Sequence, residues 1–341
     1  MTSKSTLPNT MKAWQYTDVV GGLEKNLELK SVPIPERKPN QHLVQVTWVS
    51  TNPVDYKPAE IGIINRFMIP KPATPGLDLA GRIVTPASGS SLKAGDLVYG
   101  CTGQSIFAGG SLREYAVVAD SKAIVAAPEG VSAKDLSTIG VAGVTALQSI
   151  KPFVKKGDKV FINGGSGGVG IFAIQLAKAY GLSVTTTCST ANVEFCRSLG
   201  ADQVIDYKKE NLVEALKKSG PYDHVVDNVG ADYSLFFKVA DLTKPAAKYA
   251  FVGATPSFGL VGNLSRAALP RIMGGAGRKI VPITSVSLEK DLIEVADHIK
   301  SGQVKVFYDS EYTFENVRDA FARQKTGRAR GKIVVQVDAD A

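Results

Sequence analysis

Residues 159–179 read KVFINGGSGGVGIFAIQLAKA, and this stretch decides how the rest of the chain is interpreted. Its first part is a short apolar run, which predicts a buried strand. Its last part has helical spacing and good helix formers. Between them lies the pattern Gly165-x-Gly167-x-x-Gly170, in the strand–turn–helix context that a dinucleotide-binding fingerprint requires.

Each glycine of this pattern has an expected physical role. Gly165 allows a sharp turn, Gly167 lets a pyrophosphate approach the backbone, and Gly170 allows the helix to pack closely on the strand. The helix N-terminus supplies unpaired N–H groups and partial positive charge. The predicted strand before the pattern and the predicted helix after it make a glycine-rich loop that binds nothing a weaker alternative. The residues expected to hold the dinucleotide are Gly165, Ser166, Gly167, Gly168, Val169 and Gly170.

Length and charge limit the class of protein. The chain has 341 residues, more than one hydrophobic core usually serves, so we expect two domains. Apolar residues make up 44% and charged residues 21%, which is typical of a soluble globular protein. The net charge of +8 admits an anionic partner such as NADP, nucleic acid or a membrane surface. Because the basic residues are scattered, a nucleic-acid partner is not favoured.

The same sequence gives no sign of export or of membrane insertion. No apolar run has the length needed to cross a bilayer, and the first residues lack an apolar or arginine-rich targeting pattern. Cys101, Cys188 and Cys196 are too few and too irregular for a disulfide framework. We therefore expect a cytoplasmic protein.

Three segments differ in their periodicity. Residues 1–132 contain short alternating runs separated by proline-rich connections, which predicts an irregular antiparallel β domain. Residues 133–287 alternate strand and helix patterns with short connections, which predicts a doubly wound parallel sheet. Residues 288–341 read helix, strand, helix, strand, and we expect them to return to the first domain. The predicted fold class is α/β with two domains.

Five motifs occur in the order seen in a known family. They are 52–55 (NPVD), 75–81 (PGLDLAG), 141–146 (VAGVTA), 164–170 (GGSGGVG) and 199–202 (LGAD). Together they resemble the medium-chain dehydrogenase/reductases, and within these the zinc-free branch of quinone oxidoreductases and enoyl or alkenal reductases. The resemblance implies a GroES-like β-rich catalytic domain, a Rossmann domain with a doubly wound parallel sheet, and a cleft between them.

Three positions depart from the zinc alcohol dehydrogenases of that family. Asn52 stands where those enzymes carry a zinc-binding cysteine, Leu77 where they carry a histidine, and Val141 where they carry a second cysteine. None of these three side chains is a zinc ligand. The resemblance and the residue types together predict a site without zinc.

The cofactor is indicated by a missing acid. NAD-binding sites place Asp or Glu after the second strand of the Rossmann unit, on the ribose hydroxyl, and residues 187–192 contain neither. Small hydroxyl and amide side chains suit a 2′-phosphate, so we expect NADPH rather than NADH. The residues expected near that phosphate are Ser189, Thr190, Asn192 and Tyr207. Ser189 and Thr190 also fit a helix cap, and Tyr207 also fits a half-buried core tyrosine.

The remaining cofactor contacts are expected from the resemblance. The nicotinamide is placed beside Thr145 and beside the turn formed by Val252 and Gly253. Arg328 or Lys332 are candidates for the charge that pairs with the 2′-phosphate, although the sequence does not place them.

The lack of zinc ligands restricts the expected chemistry. Without a Lewis acid, the favoured acceptors take hydride directly: quinones, or carbon–carbon double bonds conjugated to a carbonyl. The expected catalytic residues are Asn52, Tyr56 and Lys57, as hydrogen-bond partners of the developing oxygen. Tyr56 and Lys57 fit surface positions equally well, and Asp55 is expected to brace the loop. The acid tyrosine of similar mitochondrial enoyl reductases has no counterpart, since its position falls near Ile63.

Two readings of function follow. The first is an NADPH-dependent, zinc-independent reductase of quinones or α,β-unsaturated carbonyl compounds. The second is a catalytically weak NADPH-binding sensor or stress protein, motivated by the lack of an obvious proton donor. The resemblance also admits a homodimer joined through the last Rossmann strand, at residues 279–283.

Overall fold

A computed structural model of the chain describes residues 7–103, 110–118, 122–230, 233–252, 258–284 and 286–338. The strands are β1 Thr10–Gln15, β2 Glu28–Pro33, β3 His42–Thr51, β4 Asp78–Thr85, β5 Leu97–Cys101, β6 Tyr115–Val118, β7 Ile124–Ala126, β8 Lys159–Asn163, β9 Ser183–Cys188, β10 Gln203–Asp206, β11 Tyr222–Asp227, β12 Thr243–Phe251, β13 Lys279–Pro282, β14 Tyr308–Thr313 and β15 Lys332–Gln336. The helices are α1 Leu23–Asn26, α2 Pro53–Glu60, α3 Gly62–Phe67, α4 Ala133–Leu136, α5 Val144–Ile150, α6 Gly168–Ala179, α7 Val193–Ser198, α8 Leu212–Ser219, α9 Ser234–Leu242, α10 Phe258–Ala267, α11 Glu289–Lys300 and α12 Val317–Lys325. Among the described residues, no helix combines the length and the apolar character that a membrane span requires.

Within the described ranges, six strands form a parallel sheet in the order β10-β9-β8-β11-β12-β13. Counted from β8, this is the strand order of the doubly wound dinucleotide-binding fold. The order reverses between β8 and β11, and ligands of such sheets bind outside the carboxyl ends of the strands at that point. Strand β8 is apolar and buried because helices cover both faces of the sheet. The predicted α/β class with a Rossmann sheet is confirmed.

The second sheet contains the predicted β-rich domain. In the part of the chain that is described, seven strands take the order β14-β15-β3-β4-β5-β7, with β6 also paired to β3. All its pairs are antiparallel except β14 with β15. The long central strand β3 carries the start of the site, because α2 follows it directly. The predicted GroES-like domain is confirmed.

The C-terminal residues contact both sheets. β15 pairs with β3, whereas α11 buries Leu292 and Val295 in the core of the parallel sheet. The N–H of Gly331 donates to the carbonyl of Ser166, 2.9 Å away. The beginning of β15 is therefore attached to the glycine-rich turn after β8. The domain boundaries at 132/133 and 287/288 stay a prediction.

The polar segment after β3, expected as a wall of the site, is helical. Asn52 and Asp55 form a capping box, in which the N–H of Asn52 donates to Oδ2 of Asp55 at 2.7 Å. Pro53 occupies the first helical position, where its fixed φ and missing N–H cost nothing. The side chain of Asn52 is therefore fixed at the point where strand and helix meet.

The helical segment at the start of the second predicted domain is interrupted. Between α4 and α5, residues Ile139–Gly143 form a π-helical turn, a feature often found at functional sites. A Cβ on Gly140 would lie 2.6 Å from both Oδ1 of Asp78 and Sγ of Cys101, so only glycine fits without displacement. The turn directs the N–H of Val141 at Oδ1 of Asp78, 2.7 Å away.

Candidate active site

The glycine-rich turn after β8 forms the base of the site, and its first two glycines have roles that differ from those expected. The sharp turn lies at Gly164, which has a positive φ of 82°, and not at Gly165. A Cβ on Gly165 would lie 2.1 Å from Oγ1 of Thr186, so this glycine is needed for close packing against β9. The assignment of the turn to Gly165 is corrected accordingly.

The other two fingerprint glycines agree with their expected roles. A Cβ on Gly170 would lie 2.3 Å from the carbonyl oxygen of Gly164, so the helix packs tightly on the turn here. The nearest atom to a Cβ on Gly167 is 3.8 Å away, which leaves this position open to a ligand. Gly168, Val169 and Gly170 are the first residues of α6, whose N–H groups have no intrahelical acceptor. This cradle fits a pyrophosphate.

A hydrogen-bonded chain across the carboxyl ends of the parallel strands supports the cradle. Oγ1 of Thr187 accepts from the N–H of Gly164 at 2.8 Å and donates to Oδ1 of Asn163 at 2.6 Å. Nδ2 of Asn163 donates to Oδ1 of Asp227 at 2.8 Å, and the hydroxyl of Tyr249 donates to Oδ2 at 2.6 Å. Sequence reasoning missed this chain because its members come from four different strands.

The turn after β9 lies beside the cradle. Nδ2 of Asn192 is 3.2 Å from Oγ of Ser166 and 3.4 Å from Oγ of Ser189. The hydroxyl of Thr190 holds the pKa of the neighbouring Asp206 carboxyl below its usual value, together with the N–H of Lys208. Asp206 is therefore bonded both to Thr190, in the turn after β9, and to the N–H of Lys208, after its own strand β10.

Two further side chains lie near this turn. Tyr207 follows β10 and is 51% exposed, so the alternative of a core tyrosine is wrong. The ammonium of Lys208 lies 5.5 Å from the centre of its ring. The guanidinium of Arg330 lies 4.8 Å from the ring of Phe195, on α7 directly after the turn.

The structure describes two of the three residues that were predicted to contact the nicotinamide. Thr145 is buried on α5, which packs along α6. Val252 is buried after β12, and its N–H donates to the carbonyl of Asp227 at 2.8 Å. Gly253 lies outside the described residues.

A buried polar network joins the start of α2 to the beginning of β15. Nζ of Lys332 donates to Oδ1 of Asn52 at 2.6 Å, and Nδ2 of Asn52 donates to Oδ2 of Asp78 at 2.8 Å. Nζ of Lys332 lies 3.9 Å from the same carboxylate oxygen, which also accepts from Oγ of Ser50 at 2.8 Å. At most 3% of Asn52, Asp78 or Lys332 is exposed. The ammonium of Lys332 is therefore engaged by Asn52 and Asp78, so we do not propose it as the partner of a 2′-phosphate.

Burial changes the acidity of this network. Burial and the nearby Asp78 raise the pKa of Asp55 to about 8, so its carboxyl is mainly protonated at neutral pH. Burial raises the pKa of Asp78 and lowers that of Lys332, while the attraction between them opposes both shifts. With Asp55 neutral, one carboxylate faces one ammonium, which limits the cost of burying charge.

The side chains at this site do not fit a zinc ion. Asn52, Leu77 and the backbone of Val141 lie around Asp78, and the ammonium of Lys332 occupies the position next to the Asn52 oxygen. Leucine and valine offer no ligand atom, and an ammonium repels a cation. Among the described residues, no group of three or more His, Cys, Asp or Glu side chains is arranged to hold a metal ion.

The other two predicted catalytic residues lie further along α2. Tyr56 is partly buried and lies beside α12, where Nζ of Lys325 is 5.9 Å from the centre of its ring. Burial raises the pKa of Tyr56 and lowers the pKa of Lys57. Asn52, Tyr56 and Lys57 thus share one helical segment, but only Asn52 belongs to the network around Asp78.

The raised pKa of Asp55 predicts a specific pH dependence of stability. Because the folded chain holds this proton more tightly than the unfolded chain, the stabilisation is complete below the unfolded pKa and is lost as pH rises towards the folded value. Asp55→Asn keeps an oxygen for the Asn52 N–H and removes this dependence. In thermal unfolding, the Tm of the variant minus the Tm of the wild type should increase as the pH rises from about 5 to about 9.

The control is Asp96→Asn, which changes a partly exposed carboxylate that accepts from the N–H of Lys93. Its Tm should follow that of the wild type across the same range. If Asp55→Asn and the wild type lose stability in parallel, Asp55 is ionised in the folded protein.

Comparisons with known proteins match the chain to oxidoreductases with the same two domains. Residues 38–129 match the alcohol dehydrogenase GroES-like domain, and residues 199–335 match the family described as zinc-binding dehydrogenase. Trans-enoyl reductase pgmF from Aspergillus terreus is 41% identical over 98% of both chains. An NADPH-dependent alkenal/one oxidoreductase of Arabidopsis thaliana, described as chloroplastic, is 34% identical over 98% of this chain and 82% of its own.

A solved structure has the same architecture over nearly the whole length. The quinone oxidoreductase from Coxiella burnetii superposes with a TM-score of 0.85 and is 28% identical, covering 96% of this chain and all of its own. The predicted resemblance is confirmed by sequence and by fold. The chain belongs to the medium-chain dehydrogenase/reductase family of oxidoreductases, in its quinone oxidoreductase and enoyl reductase branch.

Proposed function

We propose that the chain is an NADPH-dependent reductase that transfers hydride to quinones or to the conjugated double bond of α,β-unsaturated carbonyl compounds, without zinc. The observation that carries this proposal is the open position at Gly167 close to the Lys332–Asn52–Asp78 network. The Gly167 position would take the pyrophosphate. In the network, a lysine ammonium lies beside Asn52, the residue that stands at the position of a zinc-binding cysteine in the zinc enzymes that the sequence resembles. The names of the Aspergillus and Arabidopsis relatives support the same class of reaction.

The preference for NADPH is supported by the turn after β9. Ser189 and Asn192 offer hydroxyl and amide donors beside Ser166. The ionised carboxylate of Asp206 is bonded to Thr190 of the same turn, so a 2′-phosphate placed there also needs a cation nearby. We propose Arg330 as its cationic partner, since the guanidinium lies against the first helix after the turn.

When bound, the reduced nicotinamide supplies the hydride. The described residues of the site would orient the acceptor and exclude water, because Asn52, Asp78 and Thr145 are all buried. Both functional groups of the Asn52 amide are engaged within the protein, so we propose that it positions the cleft wall. We propose Tyr56, Lys57 or water as the source of the proton.

The second function, nucleotide binding without turnover, is favoured by one observation. The Asn52 amide is engaged within the network and Tyr56 lies beside Lys325, so neither is placed as an evident proton donor at the cleft. A protein of this kind would be stabilised by NADPH against heat and would oxidise none of it.

The assembly and the compartment are also proposals. In the described part of the parallel sheet β13 is an edge strand, so a second copy pairing along it would give the predicted homodimer. Ile272 and Met273 are exposed apolar residues just before this strand. The cytoplasmic location stays a prediction.

The first test follows NADPH oxidation with a quinone and with a short enone. We expect turnover with NADPH and a clear preference for it over NADH. Arg330→Ala should raise the KM for NADPH about tenfold, the loss expected for one exposed phosphate contact, and leave the KM for NADH unchanged. The control is Arg82→Ala, which alters an exposed arginine of β4 and for which we expect no change.

Two outcomes would contradict this account. Absence of oxidation over a broad panel of quinones and enones removes the reductase. An equal loss with NADPH and NADH in Arg330→Ala removes the phosphate contact.

A second test uses two glycines of the cradle. Gly167→Ala places a methyl group in the open position, so we expect a stable protein whose affinity for NADPH falls at least about tenfold. Gly170→Ala forces a methyl group against the carbonyl of Gly164, so we expect about 1–3 kcal/mol lower stability. Calorimetric titration and chemical unfolding measure the two effects. Unchanged NADPH affinity in Gly167→Ala would show that the pyrophosphate lies elsewhere.

A further inference from the structure

A cavity of about 190 Å³ lies inside the antiparallel domain, between α2 and residues 69–77. Its lining includes Tyr16, Val54, Asp55, Thr74, Leu77 and Arg113. Val54 and Asp55 belong to the first turn of α2, and Leu77 precedes Asp78. The cavity therefore lies within the antiparallel domain and is lined by sequence neighbours of Asn52 and Asp78.

Polar atoms without partners face this cavity. Nε of Arg113, Oγ1 of Thr74 and Oδ1 of Asp55 are buried, and none has a hydrogen-bond partner among the described residues. Burying such an atom unpaired costs about 1–3 kcal/mol, and more when the group is charged. Three such groups on one cavity indicate a site built for something other than stability.

Arg113 is a half-buried cation whose Nε is buried, and no carboxylate of the described residues pairs with it. Burial alone lowers the pKa of Arg113 to about 10, and no acid of the described residues offsets the shift. The neighbouring residues 104–109 (QSIFAG) contain no carboxylate either. The guanidinium stays charged at neutral pH, since even the lowered pKa lies well above it.

Further charge and donors lie beside or on the cavity lining. Lys71 lies between the lining residues Pro70 and Pro72. Its Nζ donates to Oδ1 of Asn65 and is 4.0 Å from the centre of the Tyr16 ring, with Asp18 as a partial counter-charge. Asp55 is mainly protonated at neutral pH, so it contributes a donor and no negative charge. Burial and Asp55 raise the pKa of Tyr16 to about 12, which keeps its hydroxyl a donor.

We propose that this cavity binds the carboxylate of the acceptor, with Arg113 as the residue that selects it. Resting on the proposed reductase function, this names the substrate class: conjugated carbonyl compounds that also carry a carboxylate. The planar guanidinium presents paired N–H donors that match a carboxylate, and Tyr16 and Thr74 complete the shell. The bound anion would neutralise the buried charge and satisfy its free N–H.

The kinetic test compares β-acetylacrylate with its uncharged ethyl ester, using NADPH and the full chain. Wild type should prefer the acid in kcat/KM. In Arg113→Leu the acid-to-ester ratio should fall about ten- to hundredfold, the loss expected for one charge-assisted hydrogen bond. Arg113→Lys should retain part of the preference. The control is Arg82→Leu, which alters an exposed arginine of β4 and should keep the wild-type ratio.

Two measurements separate this role from a structural one. Levulinate, the saturated product, should raise the Tm of the NADP⁺-bound wild type and not that of Arg113→Leu, whereas methyl levulinate should raise neither. Without ligand, Arg113→Leu should unfold no earlier than wild type, because it removes an unpaired buried charge.

The possible failures are distinguishable. If neither acid nor ester is reduced, the proposed function fails. If the ester is reduced and Arg113→Leu keeps the wild-type ratio, or if levulinate has no effect on the wild-type Tm, the carboxylate site is wrong and the reductase remains. If Arg113→Leu is strongly destabilised without ligand, Arg113 serves the fold.

Discussion

The ammonium of Lys332, buried between an amide and a carboxylate, is the interaction on which this structure depends. Its stem lies against the start of α6, where its Cδ would be 3.3 Å from a Cβ on Gly168. Its head reaches Asn52 and Asp78 within the antiparallel sheet to which Lys332 itself belongs. One side chain thus fixes the glycine-rich turn of the parallel sheet relative to the first residue of α2. The distance between the cofactor cradle and the cleft wall follows from this contact.

In the proposed zinc-free chemistry, the network supplies the fixed charge of the site. Zinc enzymes of the family place a divalent cation among cysteine and histidine ligands, and here Leu77 and Val141 remove two of those ligands. A lysine supplies a smaller fixed charge, and Asp78 balances it. The protonated Asp55 next to them prevents an excess of negative charge. The π-helical turn contributes the N–H of Val141 as one more donor to Asp78, which helps satisfy the buried carboxylate.

Local patterns predicted what depends on neighbours in sequence. Three features could be predicted because each rests on periodicity or on residue type. They are the fingerprint around Gly167, the parallel sheet, and the replacement of a zinc ligand by Asn52. The positive φ was misplaced by one residue, since a run of adjacent glycines does not reveal which one turns. The helix after Asn52 was missed although its signals are local, namely the capping box of Asn52 and Asp55 and the proline at the first helical position. The π-helical turn could not be read locally, because it depends on the tertiary hydrogen bond from Val141 to Asp78.

Contacts between distant parts of the chain could not be predicted from one sequence. Lys332 and Asn52 are 280 positions apart, and nothing in either motif indicates the other. The measurement that tests their coupling most directly is a double-mutant cycle on stability with Asp78→Asn, Lys332→Met and the double variant. We expect each single change to cost about 3–5 kcal/mol in chemical unfolding, because it leaves an uncompensated buried group, and the double variant to cost clearly less than their sum. Strictly additive losses would contradict the account.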